Sequence, residues 1–119
     1  MKRSRPPAAH QDFVRRFPRV GRAWELVNQE AGAGPLDLRT QRLVKLAIAA
    51  GALREGAVHS AVRKARDAGV SLAEMEQLVP LAASTIGLPA SVAVWSWIRE
   101  TAPAAAAASS PARRRRRAR

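Results

Sequence analysis

Between residues 10 and 101 the apolar side chains recur three and four positions apart, and no stretch alternates apolar with polar between hairpin turns. Side chains with a period near 3.6 cannot line one face of a sheet, so this spacing predicts an all-α compact bundle of five to six helices. At 119 residues the chain suits one domain. Such a domain buries roughly 60–70% of the surface its unfolded chain exposes, which leaves a small core. The flanks lack the spacing. Residues 1–9 read as a disordered basic arm and residues 102–119 as a disordered Ala/Pro/Arg-rich tail, because neither holds enough apolar surface to offset the entropy of ordering.

Local signals divide the folded part. Phe17-Pro18 opens the first long helix, since proline suits an opening turn; Trp24, Leu26 and Val27 give it an apolar side before residues 32–35 end it. Asp37 is a good N-cap for a second helix, whose buried stripe is expected to include Leu38, Val44, Leu46, Ala47 and Ile48, with Gly51 near its end. A third runs from about residue 55 to 68 and is closed by Gly69. Ser71 with Glu74 three positions later forms a capping box for a fourth. Pro80 cannot donate to the carbonyl of Glu76, which predicts a kink. Gly87-Leu88-Pro89 then breaks the chain, and a last helix is expected over residues 89–101. Its Trp95 and Trp97, two positions apart, point to nearly opposite sides, so one ring packs on the core while the other asks for a partner surface.

The net charge of +12 is unevenly placed. Lys2, Arg3 and Arg5 lie at one end and Arg113, Arg114, Arg115, Arg116, Arg117 and Arg119 at the other, leaving twelve basic against nine acidic residues between positions 6 and 112. Six arginine–phosphate contacts would give a salt slope of about −5 in log affinity, which supports non-specific nucleic-acid attraction. No aromatic residue is interleaved with the run, so a solubilising tail is its competing reading. The first residues contain no apolar segment of signal-peptide length, and the most apolar window, residues 78–95, is interrupted by Pro80, Gly87 and Pro89. A soluble, cytoplasmic protein that does not enter the membrane is expected.

The absence of cysteine excludes disulfides, thiolate nucleophiles and Cys-ligated zinc or iron–sulfur centres. His10 and His59 are far apart and no zinc motif is present, so no metal and no other cofactor is expected. Gly32 and Gly34 precede Pro35 instead of opening a helix after a strand, which reads as a plain loop. Ser84 and Ser91 have no adjacent acid or histidine and read as packing or helix-end serines.

On the third helix Glu55, His59, Arg63 and Asp67 recur every four positions as one polar ridge, with Ala57, Val58, Ala61, Val62, Ala65 and Ala68 on the opposite, small apolar side. In a catalytic reading Glu55 orients His59, His59 is a general acid or base, and Arg63 holds a substrate carboxylate. The competing reading is a solvated ladder of ion pairs worth about 0.3–0.5 kcal/mol each.

The stretches Leu36-Asp37, Leu43-Val44-Lys45-Leu46-Ala47, Glu55-Gly56-Ala57-Val58-His59-Ser60, Val62-Arg63 and Thr85-Ile86-Gly87 together resemble the carboxymuconolactone decarboxylase and alkylhydroperoxidase D-like (AhpD-like) family over about residues 17–101. Redox members resemble a relay of Glu, Cys-x-x-Cys and His; counted back from Ala68-Gly69, its four places here hold Arg42, Arg54, Ala57 and Ala61. The association with peroxiredoxin-type activity therefore has no thiol to act through. Many members also look like Glu-Gly-Ala-Val-His-Ser-His, and here Ala61 replaces the second histidine, leaving His59 for any proton transfer.

The resemblance implies compact helical protomers joined as trimers or hexamers, and a homo-oligomer with the Trp95 helix at an interface is expected. Two functions follow as expectations. One is a cofactor-free decarboxylase or lactone/small-acid enzyme using His59 and Glu55, with Arg63 and Arg42 binding the acid. The other is a non-catalytic oligomeric scaffold whose basic tail binds nucleic acid or an acidic partner.

Overall fold

The computed structural model describes residues 8–102, so the basic arm before residue 8 and the arginine run lie outside the described residues. Six helices follow in order: α1 (Ala8–Arg16), α2 (Pro18–Gly32), α3 (Leu38–Gly51), α4 (Glu55–Asp67), α5 (Leu72–Ile86) and α6 (Leu88–Thr101). No strand occurs among the described residues.

Most of the breaks arise where sequence chemistry puts them. Asp37 accepts a hydrogen bond from the Thr40 N–H at 2.8 Å and caps α3, and the same bond holds its carboxyl below the usual range. Ser71 and Glu74 close the capping box of α5 in both directions, at 3.1 and 2.8 Å. Glu74 also pairs with Arg39 of α3, and the Arg39 guanidinium, together with the Ser71 N–H, brings its carboxyl down to about 2. Gly87, at φ +87° and ψ +164°, joins α5 to α6 in a conformation that a side chain disfavours. Pro80 lies inside α5, which continues past it to Ile86.

The core is built by α3 to α6. Leu46, Val58, Val62, Ala65, Val70, Met75, Val94 and Ile98 are fully or almost fully buried. α4 lies against both α3 and α6, and α5 packs on α6 and α3. The alanines on the inner side of α4 permit these close approaches. Buried Ser91 is satisfied by donating to the Gly87 carbonyl at 2.8 Å.

Several expectations are corrected. Ala8 and Ala9, read as part of the arm, begin α1, and the last helix starts at Leu88. Ala102, assigned to the tail, is buried in the core. Of the stripe expected on α3, only Leu46 is buried; Leu38, Val44, Ala47 and Ile48 are exposed, and Ala49 and Ala50 face the core instead. The side of α3 that enters the core carries Leu46, Ala49 and Ala50 together. Trp97 packs against the core while Trp95 is exposed, as their spacing predicted. The Trp95 indole N–H donates to Glu76 at 2.9 Å and the Arg99 guanidinium sits over its ring, so its polar edge is satisfied within the protomer.

α1 and α2 form a separate hairpin with no buried residue in either helix. Gly21 lets them meet: a side chain there would come within 3.1 Å of Val14. Phe13 and Phe17 stack tilted, with centroids 5.0 Å apart.

Candidate functional site

Two stripes of side chains face one another where α3 lies along α4. On α3, Arg42, Lys45 and Ala49 are spaced by three and four; on α4, Ala57, Ala61 and Lys64 are spaced by four and three. Each set therefore shares one helix face. With Ser60 and, from α2, Trp24, they line a groove of about 260 Å³. The alanines make its floor by being too small to fill it, and the three cations stand around it. A neighbouring hollow of about 270 Å³ shares Arg42 and Lys64 and adds Leu38, Asp67 and Ala68.

Arg42, Lys45 and Lys64 give the groove a positively charged lining. The Lys64 amine is held below its ordinary value by desolvation against the groove wall and by the positive charges of Arg42, Lys45 and Arg63. Crowded like charges raise the energy of the empty groove, and a bound carboxylate relieves the repulsion while accepting hydrogen bonds from the same groups. Three of the four places where the family relay would stand, Arg42, Ala57 and Ala61, belong to this lining. The fourth place, Arg54, is the exposed N-cap of α4.

The predicted site residues do not all converge. Glu55 and His59 meet, with Glu55 Oε2 3.3 Å from His59 Nε2, as their i,i+4 spacing requires. His59 lies on the side of α4 away from Ala57 and Ala61, because two positions along a helix turn a side chain by about 200°. It faces the end of α6, where its Nδ1 is 2.5 Å from Thr101 Oγ1 and its Nε2 is 3.5 Å from Glu100 Oε1. Arg42 is in the groove, and Arg63 is exposed and acts on the site as one of the charges around Lys64.

Sequence reasoning missed Lys45, Ser60, Lys64 and Trp24, and on the other side Glu100 and Thr101. Lys45 and Lys64 had a signal in the matching i, i+3, i+7 and i, i+4, i+7 stripes of α3 and α4, whereas Ser60 and Trp24 lie outside those stripes. Glu100 and Thr101 had none, since they reach His59 from 41 and 42 positions away.

The carboxymuconolactone decarboxylase family model matches residues 18–100, from the start of α2 through nearly all of α6. No curated protein and no solved structure gives a significant match to the chain.

Proposed function

We propose that this chain, which belongs to the carboxymuconolactone decarboxylase family, binds a small organic acid in the groove between α3 and α4. Arg42, Lys45 and Lys64 hold the carboxylate, while Ala49, Ala57, Ala61 and Trp24 cover the apolar part of the ligand. The observation that carries this reading is the convergence of three cations on a small-residue floor in a groove of about 260 Å³. A volume of that order suits a small acid better than a large cofactor. The chain acts as a homo-oligomer, a trimer or hexamer, in which further copies cover the apolar side chains that α2, α3 and α6 leave exposed on one protomer.

The test is titration of the full chain with a panel of small mono- and dicarboxylates, followed by calorimetry and by amide shifts of residues 42–64. Saturable binding is expected, weakened at least tenfold in Arg42→Ala and in Lys64→Ala. No binding by the parent chain to any member of the panel, or unchanged binding in both variants, overturns the reading and leaves a scaffold role.

A catalytic version with His59 as proton donor and Glu55 as its orienter draws on their 3.3 Å contact. It requires the reacting atom to lie on the α6 side of α4, away from the groove. A turnover screen with small acids and lactones decides it, since equal rates in the parent and His59→Ala remove His59 from the reaction.

A further inference from the structure

The His59 side of α4 has a chemistry of its own, beyond acid binding in the groove. Thr101 Oγ1 lies 2.5 Å from His59 Nδ1 and 3.4 Å from the Trp97 carbonyl, so one ring nitrogen has a partner that fixes the orientation of the imidazole. Nε2 is thereby left facing two carboxylates, Glu55 Oε2 at 3.3 Å and Glu100 Oε1 at 3.5 Å. An Nε2–H tautomer can donate to either carboxylate, and a cation seated among the three atoms would be held by both of them.

The spacing suits a metal ion. A tetrahedral centre with ligand bonds of about 2.1 Å has ligand–ligand edges of about 3.4 Å, and the nitrogen–oxygen separations of 3.3 and 3.5 Å lie close to that edge. All three donor atoms are within 4.8 Å of one another, and the glutamates are exposed enough to swing and shorten the remaining edge. Thr101 supplies what metal-binding histidines commonly have, a partner for the second ring nitrogen that fixes the ring's orientation. The ring is mostly buried, its side chain 23% exposed, so the nitrogen ligand is preorganised while the carboxylates stay accessible to an arriving ion.

We propose that Glu55, His59 and Glu100 form a binding site for a divalent transition-metal ion of the Zn²⁺ class. One imidazole nitrogen and two carboxylate oxygens favour such an ion over Ca²⁺, which takes oxygen ligands in larger number. The fourth position is open to water. Because its ligands come from the first half of α4 and the end of α6, the ion ties together two helices of the bundle.

The full chain is titrated with Co²⁺, read by visible absorption, and then with Zn²⁺ in competition. One ion per chain is expected, with a Co²⁺ spectrum of four- or five-coordinate type that Zn²⁺ abolishes. Affinity should fall at least tenfold in His59→Ala and in Glu100→Gln, and stay at the parent value in His10→Ala, which removes the other histidine. Glu100 is exposed, so Glu100→Gln tests the site without disturbing the core, and circular dichroism checks that each variant is folded. Absence of binding at millimolar ion, or parental affinity in both site variants, overturns the proposal. Carboxylate binding in the groove is read from Arg42→Ala and Lys64→Ala, so failure of either proposal leaves the other standing on its own data.

Discussion

The α3–α6 bundle and the α1–α2 hairpin have similar helical spacing and opposite fates. In the bundle Leu46, Val58, Val62, Met75, Val94 and Ile98 are almost wholly removed from water; in the hairpin Phe13, Phe17, Val20, Trp24, Leu26 and Val27 are all about half exposed. Phe13, Val20, Trp24 and Val27 line a hollow of about 460 Å³ between the hairpin's own two helices, and Trp24 alone of these also borders the groove of α3 and α4. Amphipathic spacing is thus a request for a partner, and only the bundle meets that request within one chain.

The largest expected effect separates the two regions directly. Leu46→Ala should cost about 2–5 kcal/mol in denaturant unfolding, since it leaves a cavity in a closed core. Trp24→Ala, measured where the chain is monomeric, should change stability by no more than about 0.5 kcal/mol. The same Trp24→Ala should lower the mass seen by light scattering at higher concentration, if further copies cover α2. A monomer loss at Trp24 as large as that at Leu46 would break the comparison.

A smaller effect distinguishes their joints. Gly87→Ala places a side chain at φ +87° and ψ +164° and should cost about 1–3 kcal/mol. Gly32→Ala, at the end of α2 with open space around it, should be neutral or slightly stabilising in the same measurement. Equal losses at both would show that the α5–α6 joint is not conformationally demanding.

The smallest effect depends on pH and sharpens the account of the bundle. The Glu74 carboxyl is brought down to about 2 by Arg39 and the Ser71 N–H, so the folded state holds its proton more weakly than the unfolded chain. That contribution is fully present above the ordinary carboxylate range and is lost as pH falls from about 4.5 toward 2. Melting temperature should therefore decline over this interval, and Glu74→Gln should show a shallower decline than the parent. A parallel decline in both would remove Glu74 from the acid response.

The groove and the His59 cluster sit on opposite sides of one helix, and the sequence displayed them unequally. The groove's stripes on α3 and α4 are regular in spacing, but nothing in either helix alone states that those two faces meet. Glu55 with His59 was legible because neighbours four apart on a helix always share a face. His59 and Arg42 stand apart because Arg42 is on α3, which packs on the Ala57 and Ala61 side of α4, about 200° around the helix from His59.

What the sequence determined by itself was local: the caps at Asp37 and Ser71, the glycine joints at 69 and 87, the all-helical class and the absence of thiol chemistry. These rest on hydrogen bonds and backbone preferences spanning a few residues, so they can be read before the chain is folded. Only the tertiary structure decided that α3 buries Ala49 and Ala50 instead of Ile48, that Arg42, Lys45 and Lys64 surround one hollow, and that α6 brings Glu100 and Thr101 to His59. Those outcomes depend on which helix faces fit closely together, a competition settled by packing between segments distant along the chain.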